Sequence, residues 1–441
     1  MLKTILTAAA ALALAGPAAA ETVLYRNATL IDGTGAPARP GMSVLVEGER
    51  IADVQPADRL SPPPGARVVD LSGKYLLPGL IDSHEHLATP PNRRQAEASL
   101  RRDLYGGVTA VRDMADDLRA VAELARASLR AEIPAPDIYY AALMAGPSFF
   151  ADPRTVAVSY GYKPGHTPWM QAIDESTDLR EAVTLARGTS AVAIKIYANL
   201  PGDLVAKIAA EARRQGMQVW AHTAVYPATP AEVIAARPDV MSHACSLAHQ
   251  ALGTPASYQS RTPMDPQPFV GGDNPVTALL VGQMKDSGIV LDATTSIYAH
   301  LEAQAAKTPG ARKPLCTGAM SDGLVRQAWK AGVEIAAGTD WVAPYDDPWP
   351  TLHHELAALV KLGMSPAEVI RAATLNGARA AGQARDLGTV EAGKLANLIV
   401  TAKDPTADIA NLKTLDVTIK RGREYRRADF RPLTRDEMED R

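Results

Sequence analysis

The stretch Leu76-Leu77-Pro78-Gly79-Leu80-Ile81-Asp82-Ser83-His84-Glu85-His86 is an apolar run that ends in two histidines one residue apart. Its apolar part is long enough for a buried strand, and side chains at i and i+2 of a strand point to the same side. His84 and His86 can therefore present two imidazoles to one point in space, as a metal ion requires. In a chain with nine histidines the spacing alone is weak evidence. Its surroundings decide how it is read.

From residue 76 onward, short apolar runs alternate with Ala-rich helical stretches. The runs 76–81, 108–111, 138–143, 192–196, 218–221, 240–242, 290–293 and 334–337 read as strands, and 94–105, 203–215, 322–330 and 366–375 as helices. Eight strands alternating with helices predict a parallel α/β fold, and a closed (β/α)8 TIM barrel over residues 76–385 fits that count. An open doubly wound sheet fits less well, because no Gly-rich fingerprint follows the first strand. Residues 21–75 show a different texture. Short alternating runs there are cut by Asp32-Gly33, Pro40-Gly41 and Pro62-Pro63-Pro64-Gly65, which reads as antiparallel β structure. Residues 386–441 again contain β runs, at 398–401 and 417–419. The expectation is that both terminal segments pack into one small β-sandwich beside the barrel.

Hydrophobic residues make up 46% of the 441, ample for a large core. The formal charge of −3 is well mixed along the chain, which argues against nucleic-acid or membrane partners and leaves a small-molecule substrate. Association with further copies is compatible with this class of fold. Residues 1–20 read as a signal peptide: Lys3 gives a positive start, 5–15 an apolar stretch, and Ala18-Ala19-Ala20 a cleavage signal before Glu21. The apolar stretch is too short to span a bilayer. A periplasmic or secreted location follows. Cys245 and Cys316 are the only cysteines. Two cysteines make no disulfide framework, and a buried free thiol is the expected state of each.

In a parallel barrel the C-terminal strand ends share one mouth, where catalytic groups gather. Several strands here end in metal-competent residues. The first carries His84 and His86; the fourth carries Lys195, flanked by apolar β-formers; the fifth ends in His222, the sixth in His243 and the eighth in Asp340. With these residues in place, the chain resembles the amidohydrolase superfamily, in its binuclear, prolidase-like branch. The resemblance spans nearly all of the chain after residue 20. It includes the opening stretch, Gly106-Gly107-Val108-Thr109-Ala110-Val111-Arg112-Asp113, Gly338-Thr339-Asp340, and Gly388-Thr389-Val390-Glu391-Ala392-Gly393-Lys394-Leu395-Ala396-Asn397-Leu398-Ile399-Val400. It implies two divalent metal ions. His84, His86 and Asp340 would hold one and His222 and His243 the other, with Lys195, carboxylated on its amine, bridging them.

The chemistry is consistent with that implication. Neutral imidazoles and carboxylates suit Zn²⁺. A free ammonium repels a dication, so Lys195 can serve only as its anionic carbamate. Asp340 would act as general base and then as acid toward the leaving nitrogen. The expected activity is cleavage of an amide bond in a dipeptide or N-acyl amino acid, including ochratoxin-like aromatic amides. Alternatives are a cyclic amide or lactone hydrolase, as in the imidazolonepropionase-like branch, which binds one metal and lacks the lysine, or a non-catalytic barrel.

Tyr197, two residues beyond Lys195, and His300, after the seventh strand, are candidates for substrate contact. Asp113 is expected to brace loops, and His353-His354-Glu355 to be structural or surface residues; His166 and His249 stay open. Three long connections, 145–174, 244–288 and 294–317, leave the functional face. The first clusters Phe149, Phe150, Tyr160, Tyr162 and Trp169 in a chain poor in aromatics, as a pocket wall or a self-packed lid. Departures from the family pattern fall near these loops. Relatives often read Ile-Glu-His-Gly where this chain has Met241-Ser242-His243-Ala244, and a His-Gly-rich segment is replaced by Ala145-Gly146-Pro147-Ser148.

Overall fold

A computed structural model describes residues 21–438, so the expected signal peptide lies outside the described residues. Eight parallel strands form the barrel in chain order: Leu80–Glu85, Val108–Asp113, Asp137–Ala145, Ala193–Ile196, Gln218–His222, Val240–Ser242, Val290–Asp292 and Ile335–Ala336. The last strand returns to the first through Ser83 N–H to Ala337 O and Asp340 N–H to His84 O, both 2.9 Å. Helices such as Arg93–Tyr105, Gly202–Arg214 and Gly318–Ala331 fill the crossovers. Their buried stripes meet the outward residues of the strands, for example Ile194 and Ile196 on either side of Lys195.

The run quoted first divides into two strands. Tyr75–Pro78 belongs to the other sheet, where it pairs with Leu398–Thr401 and Thr22–Leu30, and the barrel begins only at Leu80–Glu85. Gly79 makes the crossing. A Cβ there would fall 2.2 Å from the Thr109 side chain, so the chain can step from one sheet to the other only without one.

The terminal segments were expected to form a sandwich. They form one continuous eight-stranded mixed sheet, because Tyr75–Pro78 hydrogen-bonds to strands from both ends of the chain. The sheet curls on itself: Ile51 N–H reaches Lys394 O (2.9 Å) and Ala396 N–H reaches Glu49 O (2.8 Å), tying its far edge back. Val23, Leu30, Val44, Ile51, Leu76, Leu398 and Ile419 fill the enclosed core. Each such burial is worth about 1.5–3 kcal/mol. Asp137, opening the third barrel strand, is gripped by Lys420 (3.2 Å) and Arg421 (3.0 Å), and so locks this sheet against the barrel. Among the described residues, no helix is long and apolar enough to cross a membrane.

Candidate metal centre

The strand ends bring the six expected residues around one cavity of about 230 Å³, lined by His84, His86, Lys195, His222, His243 and Asp340. Ligand atoms of His84, His86 and Asp340 all lie within 4.8 Å of one another. Asp340 Oδ1 is 3.5 Å from Nε2 of both His84 and His86, and its Oδ2 is 3.8 Å from His243 Nδ1. The rings of His84 and His243 are 4.8 Å apart, and those of His243 and His222 are 4.5 Å apart. Both His243 and Asp340 leave their strands with positive φ (72° and 59°). Such backbone is sparsely populated by non-glycine residues, and it concentrates at functional sites.

Each imidazole is held by one ring nitrogen. His84 Nδ1 meets Asp292 Oδ2 (2.7 Å), His86 Nδ1 meets Asp116 Oδ1 (2.7 Å), and His243 Nδ1 meets Thr294 Oγ1 (2.9 Å). His222 Nδ1 makes a longer contact with Ala224 O (3.3 Å). In His84 and His86 the nitrogen left over, Nε2, faces Asp340, as in metal-ligating histidines. His84 Nε2 is the telling atom. It is buried and has no hydrogen-bond partner among the described residues, a cost that a metal ion would remove. The residues present fit such an ion.

Electrostatics favour the metal-binding protonation state. Burial, aided by Lys195 and the neighbouring rings, holds His84 and His222 well below the usual histidine value, and His243 falls to about 4. All three are neutral at pH 7. Lys195 is 2% exposed, donates to Met114 O (3.0 Å), and is lowered by burial to about 8. A share of its amine is therefore uncharged near neutrality.

A supporting layer was not singled out in the sequence. Asp292, ending the seventh strand, also accepts from Ser242 Oγ (2.7 Å) and meets Arg112 (3.4 Å), whose guanidinium lies 4.2 Å over the Trp220 ring. Burial raises Asp292 to about 7. Its close approach requires Gly338, where a Cβ would fall 2.2 Å from Asp292 Oδ1. Asp82 accepts from the backbone of His84 (3.0 Å) and Thr339 (3.1 Å), and so ties the first and eighth strand ends together. Carboxylates ending short apolar runs, as in Val290-Leu291-Asp292, are the signal that could have found the first of these. Asp113 braces loops as expected, accepting from the backbone of Leu87 (3.0 Å) and Asp116 (3.3 Å).

The walls come from the long connections. Tyr197 lines the cavity, with its ring 4.8 Å from His222 and 4.9 Å from Phe149. His300 stacks on Trp341 at 4.1 Å, while Ile297, Tyr298 and Leu301 of the same helix face the cavity. Of the aromatic loop, Phe149 reaches Tyr197 and Tyr258; Tyr160 is 82% exposed, and Trp169 is buried against Val158 O. His249 lines the cavity, whereas His166 is exposed. His353 is buried and donates from Nε2 to Gly106 O (3.0 Å), and His354 pairs with Asp347 at the surface. Glu355 accepts from Thr295 N–H and Ser296 N–H, and so caps the helix Thr295–Lys307. One expectation is overturned. Cys245 and Cys316 are buried, but they form a disulfide (Cα–Cα 6.4 Å) that joins the loop after the sixth strand to the segment before the helix Gly318–Ala331. Their separation of 71 residues concealed that proximity.

The sequence profile of the amidohydrolase family matches residues 75–424, across the barrel and much of the mixed sheet. The chain belongs to the amidohydrolase family. An imidazolonepropionase from Symbiobacterium thermophilum is 24% identical over 381 residues, 82% of this chain and 84% of that protein. An adenine deaminase from Rubrobacter xylanophilus is 41% identical, but over only 66 residues, 15% of this chain and 11% of its own length. Among solved structures, a Xaa-Pro dipeptidase with bound methionine superimposes with a TM-score of 0.71 at 21% identity, covering 92% of this chain and all of that one. An ochratoxinase from A. niger gives 0.70 at 22% identity, covering 92% and 96%. These structures share the fold of this amidohydrolase.

Proposed function

We propose that the protein is a metal-dependent hydrolase of amide bonds in small dipeptide or N-acyl amino acid substrates. The observation that carries this reading is the buried, unpartnered Nε2 of His84, facing Asp340 and the other imidazoles of one cavity. His84, His86 and Asp340 would hold one divalent ion, and His222 and His243 a second. Lys195, as its carbamate, would bridge them. The nitrogen and oxygen donors suit zinc. When bound, such ions act as Lewis acids and make a water nucleophilic at neutral pH.

The chain's own residues supply the rest. Asp340 stands among the ligands with Oδ2 turned toward His243, placed to take the water's proton and return it to the leaving nitrogen. Tyr197 and Tyr258 wall the cavity with contacting rings, Phe149 packs against both, and the two tyrosines would pack an aromatic acyl group, as in ochratoxin-like amides. The imidazolonepropionase relative supports a cyclic amide as a second reading. Lys195 at the cavity floor supports the two-metal reading over it.

We also propose that the protein is exported, a reading supported by the Cys245–Cys316 disulfide, which persists in an oxidising compartment. Sequencing of the mature N-terminus should begin at Glu21. The activity is tested by incubating the metal-loaded protein with a panel of dipeptides, N-acyl amino acids and cyclic amides, and following release of the amine. Turnover of the open amides, abolished by a chelator and restored by zinc, is the expected result. Turnover of cyclic amides alone, or none across the panel, would refute the reading.

A further inference from the structure

We infer that Arg261 is the substrate-binding residue that reads a free carboxylate on the amine half of the substrate. This rests on the amide-hydrolase reading and adds to it the residue that selects for the carboxylate such substrates carry. Three cations line the cavity: Arg154, Lys195 and Arg261. Arg154 is neutralised by Asp152, its Nε and Nη2 donating to the two carboxylate oxygens at 3.0 and 2.9 Å. Lys195 belongs to the metal floor. Among the described residues the only acid on the lining is Asp340, which belongs there too.

Arg261 is left over. It forms no ion pair among the described residues, and its single side-chain hydrogen bond there runs from Nε to Tyr258 O (2.7 Å). Its guanidinium lies 3.3 Å from the centre of the Tyr258 ring, and its terminal nitrogens, with the Tyr226 side chain nearby, make no hydrogen bond of normal geometry among the described residues. A guanidinium pinned at Nε, with Nη1 and Nη2 available, has the geometry of a two-point carboxylate receptor. Because the protein fixes it beforehand, binding costs little further ordering.

A second observation points to the same ligand. Tyr226 is fully buried and lines the cavity, and its hydroxyl, beside the Ser246 and Arg261 side chains, makes no hydrogen bond of normal geometry among the described residues. The Arg261 guanidinium is 5.7 Å from its ring. An unsatisfied donor beside an unpaired cation describes a site awaiting an anion. Its position suits the reaction. The guanidinium charge is felt at His222 and His243, and the Tyr258 ring under it is 5.5 Å from Tyr197, which in turn abuts His222. A carboxylate on Arg261 would therefore belong to a molecule whose amide rests on the metal floor.

Calorimetric titration of the full-length, metal-loaded protein tests this directly. The probes are N-benzoyl derivatives of glycine, leucine, phenylalanine and proline, each as free acid and as carboxamide. At least one acid should bind about tenfold or more tightly than its carboxamide. Arg261→Met should erase that difference while leaving carboxamide binding and the melting temperature unchanged, and Arg261→Lys should restore part of it. Should Arg261→Met misfold, Arg261→Gln is read in the same way. Equal binding of acids and carboxamides to the wild type, no binding by any acid, or discrimination that survives Arg261→Met would each overturn the inference. The readout is binding, so it separates from the hydrolase reading. Acids that bind through Arg261 but are never cleaved would refute hydrolysis and leave the carboxylate site standing.

Discussion

The floor and the wall of the cavity are built by different means. The floor consists of residues on barrel strands or immediately after them, three of the six clamped by a side chain from a neighbouring strand or loop: Asp292 on His84, Asp116 on His86, Thr294 on His243. The wall is built mainly from three long connections, held by ring contacts, one disulfide and a guanidinium laid over a tyrosine. Regular strands deliver side chains to fixed points, so a floor of this kind can hold metal ions. Loops can vary without disturbing it, so the wall is where a shared fold acquires its own substrate. The two should therefore fail separately.

The largest separation is expected from Asp340→Asn. Removing the proton acceptor while keeping an oxygen donor should lower kcat about a thousandfold, with KM and melting temperature nearly unchanged. A variant retaining a tenth of wild-type turnover would show that Asp340 is not the proton carrier. The wall is broken by the double substitution Cys245→Ser and Cys316→Ser. Opening a 71-residue loop costs about 4 kcal/mol in the chain-entropy view, seen as a lower melting temperature and a raised KM. Bound metal should stay constant. Loss of metal along with the disulfide would join floor and wall into one unit.

Acid sensitivity sharpens the comparison from outside the cavity. His353 is buried, donates to Gly106 O, and is held by burial at about 4. Its folded value lies below the unfolded 6.5, so its contribution is full above pH 6.5 and is lost as pH falls from there through about 4. The total is about 3 kcal/mol. Thermal denaturation across that window should show the decline, and His353→Gln should flatten part of it. An unchanged slope in the variant would assign the acid sensitivity to the cavity imidazoles instead. The smallest effect is expected from Asp292→Asn, which leaves the ligands in place but loosens His84. Metal affinity should drop about 10- to 100-fold. No change would mean that the strand alone orients the ring.

The sequence carried the floor well and the wall poorly, for a physical reason. A ligand that ends an apolar strand is marked by its neighbours, as Gln218-Val219-Trp220-Ala221-His222 shows. Strand type and sheet membership are less plainly marked. The run 76–81 is apolar throughout because both sheets bury it, and periodicity cannot reveal that Gly79 divides it. The terminal segments were recognisable as β structure, but their joining into one curled sheet depends on Tyr75–Pro78 lying between them. The wall depends on contacts across long separations. Cys245 with Cys316, and Arg261 with Tyr226, lie in stretches without periodic pattern, so only the folded chain brings them together.

The central claim is that six residues of one floor hold two metal ions, with Lys195 between them. Its most direct test is elemental analysis of the purified protein beside Lys195→Ala, with folding of both checked by circular dichroism. The account predicts about two divalent ions per wild-type chain, and a Lys195→Ala variant that folds but loses at least one of them with most of its activity. A wild-type chain that binds no metal, or a Lys195→Ala variant that keeps both ions and full activity, would contradict it.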